Sequence, residues 1–138
     1  RERMRSLLAE RPAPLDRGER PGHLTGSAFV VDAAVERTLL LFHTKLQIWV
    51  QPGGHADGDA NLPAVALREA HEETGIDGLA VWPVAVDLDI PNEAVVAANH
   101  ESQDQRWVTE AEIPDLGADD GLQRMAASGF RLARQLAS

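Results

Sequence analysis

The stretch that most constrains the fold lies at residues 53–76, GGHADGDANLPAVALREAHEETGI, where a glycine-containing loop leads into a helical pattern. At about 100° per residue, one face of a helix over residues 62–74 begins apolar and continues with glutamates. Glu69, Glu72 and Glu73 stand at positions i, i+3 and i+4, where like charges repel by about a few tenths of a kcal/mol per pair. The spacing therefore predicts that a positive group lies among these carboxylates.

Two structures satisfy this spacing. A hard divalent cation such as Mg2+ takes oxygen ligands and is commonly held by one or two carboxylates together with substrate phosphates. The alternative is the solvated acidic face of an amphipathic helix. The neighbours favour the cation, because Arg68 lies four residues before Glu72 and can pair with and orient its carboxylate. Gly75 then suits the left-handed position that ends a helix.

These residues resemble the Nudix box, the signature of the Nudix hydrolase family, written G-x5-E-x7-R-E-U-x-E-E-x-G-U with U an aliphatic residue. Gly54 takes the first position, and residues 68–76, REAHEETGI, take the last nine. The chain departs from the pattern at Ala60, which stands where the first Glu is expected. Asp57 and Asp59 lie just before it, and two roles are open to them: a turn, or a replacement for the missing carboxylate.

The resemblance implies an α/β fold, namely the Nudix-type α/β/α sandwich with a mixed β-sheet. It also implies hydrolysis of a diphosphate linkage in a nucleoside diphosphate joined to another moiety, with Mg2+ as cofactor and Mn2+ as its alternative. The metal ligands that it implies are Gly54, Glu69, Glu72 and Glu73. The opposing interpretation is a catalytically weak or inactive Nudix-fold module that binds or senses a nucleotide, and Ala60 supports it. A plain structural domain is a third interpretation.

The resemblance implies a catalytic set of Arg68, Glu69, Glu72 and Glu101. Glu101 enters because residues 100–108, HESQDQRWV, resemble the E-S-x-D-x-R-W segment found downstream of the box in relatives. A Glu of that segment can serve there as a metal ligand or as the general base. The base is therefore open between Glu101 and the glutamates of the box, and an ordinary loop glutamate is the alternative for Glu101.

Two further residues are candidates for substrate binding. Lys45 is the only lysine in the chain, and either a phosphate contact or a plain surface position agrees with its sequence context. His55 directly follows Gly54, which suits either a substrate contact or a loop histidine. His23, by contrast, is predicted only to cap the strand that follows it.

Outside the box, the pattern predicts an N-terminal helix and connector over residues 1–22 and a Nudix domain over residues 23–138. The predicted elements are a helix over 1–10, strands over 24–32, 38–43, 46–51 and 79–90, a helix start capped by Thr109, and a last helix capped by Asp119 or Asp120. The resemblance implies an antiparallel partner for the strand over 79–90. The only candidate, residues 94–98, is short, and there is no room for a connecting loop between Ile90 and Glu93. We therefore hypothesise that a strand and a loop are missing from the sequence near residues 90–92.

Composition narrows the classes of partner. The chain has 138 residues, enough for one domain with a core, and it has no cysteine, which removes disulfides and fits a cytoplasmic protein. A net charge of -9 argues against nucleic acid and anionic membranes as partners. No apolar run is long enough to span a bilayer, and no signal peptide is visible. The expected partner is a small-molecule nucleotide or other diphosphate, and a homodimer is the assembly common among relatives.

Overall fold

The computed structural model describes residues 2–10, 13–18, 22–82, 84–87 and 102–138. The chain forms two compact units, of which the first comprises Arg1–Ala28 and Gly53–Pro83, and the second Phe29–Pro52 and Val84–Ser138. Helices and antiparallel strands occur in both units, and this confirms the predicted α/β class. In the ranges given above, none of the helices has the length and apolar character needed to cross a membrane.

The first unit contains two helices and a short two-stranded sheet. Helix α1 spans Glu2–Glu10, close to the predicted bounds. Strand β1, Thr25–Ser27, pairs antiparallel with strand β4, Gly53–His55, which was expected to be a loop. Helix α2 spans Leu62–Thr74, as predicted, and packs against both strands.

The ends of α2 follow from its sequence. The Asn61 side chain accepts a hydrogen bond from the Ala64 backbone N–H at 3.3 Å, which satisfies one of the free donors of the first turn. Gly75 adopts φ 67° and donates its N–H to the His71 carbonyl at 2.9 Å. This confirms the predicted glycine end of the helix, since residues with a side chain rarely adopt that φ.

The second unit contains a three-stranded antiparallel sheet of order β3–β2–β5. Strand β2, Arg37–His43, lies in the centre, and β3, Ile48–Val50, and β5, Ser102–Thr109, flank it. The centre of β2 is fully apolar, with Leu39, Leu40 and Leu41 all buried. A central strand that is buried on both faces typically has a continuous apolar sequence, and the segment TLLLF of β2 has this character.

After β5 the chain makes two short 3-10 helices, Glu110–Glu112 and Pro114–Leu116, and then helix α3, Asp120–Ala137. Thr109 occupies the N-cap position of the first of them, as predicted, and its N–H and hydroxyl both donate to the Glu112 carboxylate at 2.8 Å. Asp119 caps α3 by accepting the Leu122 N–H at 2.8 Å. The predicted helix starts at this end of the chain are therefore confirmed.

The core of the second unit combines α3 with the sheet. Its centre is Phe130, which has no exposed surface and packs edge-to-face on Phe29 with ring centroids 5.2 Å apart. The buried residues of this core are Val35, Leu40, Val108, Ile113, Leu122, Ala126, Phe130 and Ala133. Leu136, near the end of the same helix, is 44% exposed and lies outside this core.

Two strand predictions differ from the structure. The strand predicted over residues 24–32 is divided: β1 pairs with β4, whereas Val31 forms only an isolated bridge with Thr38. Residues 79–82 and 84–87 form no strand, although their composition is apolar. A strand needs a hydrogen-bonded neighbour, and Pro83 has no N–H to offer one. The rest of that prediction, including the strand hypothesised to be missing near residues 90–92, lies outside the described residues.

Candidate functional site

The site begins where β4 passes the acidic part of α2. Gly54 pairs with Gly26 across the β1–β4 ladder, and its backbone lies directly against the side chain of Glu69. A Cβ atom at position 54 would overlap the Glu69 carboxylate, so only glycine leaves room for this approach. Glu69 is 9% exposed, which is unusual for a carboxylate without ionic or hydrogen-bonded partners.

Arg68 supplies such a partner. Its Nη2 donates to Oε1 of Glu69 at 2.9 Å, and this hydrogen bond raises the pKa of the Arg68 guanidinium above its ordinary value. The same Nη2 lies 3.5 Å from the carbonyl oxygen of His55. Arg68 was expected to orient Glu72. The bond goes to Glu69 instead, because the side chain of Arg68 runs toward β4, where Glu69 is also held.

The other two glutamates of the box have different surroundings. Glu73 is half-buried and its Oε2 accepts the Gly53 N–H at 2.9 Å, so this carboxylate holds the start of β4. Glu72 is exposed, and its charge contributes to the raised pKa of Arg68. The three glutamates therefore present one buried, one half-buried and one exposed carboxylate.

The two aspartates near Ala60 both make hydrogen bonds within the first unit. Arg17 holds Asp57 through both oxygens, with Nε donating to Oδ1 at 2.7 Å, and this pair keeps the pKa of the Asp57 carboxyl below its ordinary value. Asp59 accepts the Asn61 N–H at 2.8 Å through Oδ1. Both carboxylates therefore have structural roles, which favours the turn interpretation of this loop.

A histidine pair joins the connector to β4. His23 Nε2 and His55 Nδ1 lie 2.8 Å apart, and the two half-buried rings are tilted by 50° with centroids 4.7 Å apart. Thr25 is directly opposite His55 in the β1–β4 ladder, so His23, two residues earlier, is the diagonal neighbour of His55. The prediction that His23 only caps a strand missed this contact, since no local pattern indicates that residues 25 and 55 pair.

The structure thus places part of the predicted site together in the first unit, namely Gly54, His55, Arg68, Glu69 and Glu73. Glu72 lies on the same helix with its side chain exposed. Lys45 belongs to the second unit, in the turn formed by residues 44–47 between β2 and β3. Glu101, the candidate from the downstream segment, lies outside the described residues.

The donor atoms at this site suit a hard divalent cation. Carboxylate oxygens of Glu69 and Glu72 and the carbonyl of Gly54 are the ligand types that Mg2+ prefers, and the missing Cβ at position 54 lets backbone and carboxylate approach each other. Across the parts of the chain that the structure describes, however, no three acidic or histidine side chains gather closely enough to hold a metal ion. The donor chemistry fits, and the full ligand set is not assembled there.

Comparison with known proteins finds a similar protein for about half of the chain. No protein-family model matches the chain. The chain is similar to a protein named RNA pyrophosphohydrolase from Acidiphilium cryptum (strain JF-5), with 36% identity over 77 residues. The similarity covers 52% of this chain and 45% of that protein, so the chain spans just under half the length of this curated relative. This similarity agrees with the resemblance to the Nudix family.

Proposed function

We propose that this chain hydrolyses a diphosphate linkage in a nucleoside diphosphate joined to a second moiety, with Mg2+ as cofactor. The observation that carries the proposal is the buried carboxylate of Glu69, paired with Arg68 and packed against Gly54 within a Nudix-like box. The similarity to a protein named a pyrophosphohydrolase supports the same class of reaction.

The charged residues of α2 have different roles in this proposal. Glu69 and Glu72 would hold the cation, together with the Gly54 carbonyl, while Glu73 fixes the start of β4 through the Gly53 N–H. A bound divalent cation withdraws charge from the phosphates and lowers the pKa of a coordinated water. Arg68 holds the Glu69 carboxylate in place through a hydrogen bond of 2.9 Å, which would prepare the site before substrate arrives.

The substrate is expected to be small. Most of the affinity of proteins for RNA comes from electrostatic contacts with its phosphates. A chain of net charge -9 has little general attraction for such a polyanion. A single diphosphate needs only a local positive charge, which the cation provides. The name of the relative makes an RNA with a 5′ polyphosphate the second substrate class to test.

The test is a substrate panel with purified protein and Mg2+. The panel holds nucleoside triphosphates, dinucleotides, nucleotide sugars, ADP-ribose and a 5′-triphosphorylated RNA, and the measured products are phosphate, pyrophosphate and nucleoside monophosphate. We expect at least one member to turn over, and Glu72→Gln to lower that rate by about 100-fold or more with an unchanged thermal midpoint. Glu36→Gln, at an exposed glutamate outside the box, is the matched control. Undiminished turnover in Glu72→Gln would contradict the assigned role.

The second candidate function is a module that binds a nucleotide without cleaving it. The specific observation in its favour is that Asp57 and Asp59 are hydrogen-bonded to Arg17 and Asn61, in the loop where Ala60 stands in place of the glutamate of the motif. This function predicts a thermal shift with a nucleotide of the panel and no product, because a ligand that binds only the folded state raises the midpoint. Turnover above that of the Glu72→Gln variant excludes it.

A further inference from the structure

A short link joins the two elements that carry the expected ligands of the cation. Strand β4 and helix α2 are separated only by residues 56–61. Residues 56–59 form a turn whose ends are joined by a backbone hydrogen bond of 2.9 Å. Its central residues, Asp57 and Gly58, have φ of 48° and 88°, as in a type I′ turn, for which Asp-Gly is a preferred sequence. The local sequence thus sets the shape of the turn, but not its position in the first unit.

The N-terminal segment that precedes β1 holds the turn from outside. The backbone carbonyls of Leu15 and Leu24 accept the N–H groups of Gly58 and Ala56, at 3.0 and 3.3 Å respectively. The Leu24 N–H donates to a carbonyl earlier in the same segment at 2.7 Å, so this segment is also bonded to itself. The turn is therefore attached to a part of the chain that lies far from it in sequence.

Arg17 adds a side-chain contact between this segment and the turn. Its guanidinium binds both carboxylate oxygens of Asp57, with Nε donating to Oδ1 at 2.7 Å. The backbone around Arg17 is held as well, because Asp16 donates its N–H to the Ala13 carbonyl at 2.9 Å and accepts the Gly18 N–H through Oδ1 at 2.7 Å. An exposed ion pair adds little stability, but a bidentate pair is geometrically specific. This pair is therefore better suited to fix a position than to stabilise the fold.

Both ends of the turn lead to the candidate site. At one end the chain comes directly from β4, where the backbone of Gly54 lies against the Glu69 carboxylate. At the other end the Asp59 side chain accepts the N–H of Asn61, the N-cap residue of α2, at 2.8 Å. A displacement of the turn therefore changes the position of β4 relative to α2.

We propose that Arg17 is a positioning residue for the cation site. It acts through Asp57 on the turn of residues 56–59, and thereby fixes the Gly54 carbonyl relative to the carboxylates of α2. Mg2+ requires nearly ideal octahedral geometry, so a small displacement of one ligand weakens its binding. Arg17 contacts neither cation nor substrate in this role. The inference rests on the proposed function and adds to it a residue outside the Nudix-like box.

A purely electrostatic role for Arg17 predicts the opposite result. The pKa of Arg17 is raised, first by its hydrogen bond to Asp57 and to a smaller extent by the charge of Glu69. A guanidinium that attracts Glu69 also repels a cation held by that carboxylate. Removing the charge of Arg17 would then strengthen cation binding, whereas losing its positioning role weakens it. The direction of the change separates the two roles.

The first measurement needs neither metal nor substrate. Hydrogen exchange of the Ala56 and Gly58 N–H groups is compared between the wild type, Arg17→Gln and Arg5→Gln, which removes an exposed arginine of α1 in the same unit and is the matched control. We expect both groups to exchange about threefold or more faster in Arg17→Gln, because the turn opens more often. Backbone N–H groups in the centre of β2 should change less. Equal exchange of the turn in all three proteins would overturn the inference.

The second measurement is a double-mutant cycle on Mn2+ affinity, determined by electron paramagnetic resonance. We expect Arg17→Gln and Asp57→Asn each to weaken Mn2+ binding by about threefold or more, and the double variant to lose no more than either alone. Asn is chosen at position 57 because it tolerates the positive φ there. Arg17→Lys, which keeps the charge without the planar fork, should lie between Arg17→Gln and the wild type. Arg5→Gln should bind Mn2+ like the wild type.

Two outcomes of the cycle contradict the inference. Unchanged or tighter Mn2+ binding by Arg17→Gln would show that Arg17 does not position the site. Losses that simply multiply in the double variant would show that Arg17 acts independently of Asp57. Absence of Mn2+ binding by the wild type would instead be a failure of the proposed function, and the exchange measurement would still decide whether Arg17 fixes the turn.

Discussion

The helices α2 and α3 are both amphipathic, but they bury different kinds of group. In the second unit, α3 contributes a large aromatic side chain, Phe130, to a core of branched and aromatic residues. In the first unit, α2 buries the small residues Val65, Ala66 and Ala70, and with them the carboxylate of Glu69. The Glu69 carboxylate packs against the backbone of Gly54, whereas Phe130 packs against another large side chain.

This difference predicts which kind of substitution each unit tolerates least. A core filled with large side chains loses stability when volume is removed, because the cavity is only partly closed by its surroundings. A close contact between backbone and a buried carboxylate is disrupted when a larger side chain is introduced, because the carboxylate must move to make room. We therefore expect the second unit to govern stability and the first to govern chemistry.

The largest expected effect is on stability in the second unit. Phe130→Ala removes a fully buried ring from its contact with Phe29 and should lower the free energy of unfolding by about 3–5 kcal/mol. Denaturation by urea measures this. Leu136→Ala, at a residue of the same helix that is 44% exposed, is the control and should change it far less. Equal losses in the two variants would contradict the position of the core.

The second effect tests the close approach in the first unit. Gly54→Ala places a methyl group on the Glu69 carboxylate and should cost about 1–3 kcal/mol of stability, as overpacking does. It should also displace Glu69 and lower diphosphate turnover by more than the stability loss explains. Gly22→Ala is the matched control, because a Cβ there meets nothing within 4 Å. A Gly54→Ala variant with wild-type stability and turnover would break the comparison.

Removing the helix caps should have smaller effects on stability, which also differ between the two units. Asp119 caps α3 through a hydrogen bond of 2.8 Å, whereas Asn61 caps α2 through one of 3.3 Å. Asp119→Ala should cost about 1 kcal/mol, and Asn61→Ala less, because the shorter bond is made by a charged acceptor. Thermal denaturation of the two variants measures both costs. A larger loss of stability in Asn61→Ala than in Asp119→Ala would contradict this prediction, because the shorter capping hydrogen bond would then not be the more stabilising one.

The smallest effect is a dependence on pH. Arg17 lowers the pKa of Asp57, so this pair stabilises the fold above the ordinary carboxyl pKa of about 3.9 and loses that contribution as pH falls through the lowered value. Arg17→Gln should therefore have a lower thermal midpoint than the wild type at neutral pH, and the gap should close in acid. The pair is exposed, so added salt should narrow the gap as well. A gap that widens in acid would contradict the assignment.

The sequence predicts the local features of this chain much better than its long-range contacts. Helix α2 was predicted with its bounds because the spacing of its apolar and acidic residues and the glycine at position 75 are local signals. The pairing of β1 with β4 is not local, so both the strand Gly53–His55 and the contact between His23 and His55 were missed.

Within the candidate site the same division holds. That the glutamates share one helix follows from their spacing, but which of them is buried depends on the strand beside them. Arg68 pairs with Glu69 and not with Glu72 because β4 lies on that side. The bond between Arg17 and Asp57 joins residues 40 positions apart, which no local pattern indicates.

Direct measurement of cation binding tests the central claim, that the carboxylates of α2 hold a divalent metal. Mn2+ bound to the protein can be counted by electron paramagnetic resonance, without any substrate. We predict that the wild type and Glu36→Gln bind Mn2+ equally, and that Glu69→Gln and Glu72→Gln each weaken binding by about tenfold or more. Equal Mn2+ affinity in all four proteins, or no binding by the wild type, would contradict the account.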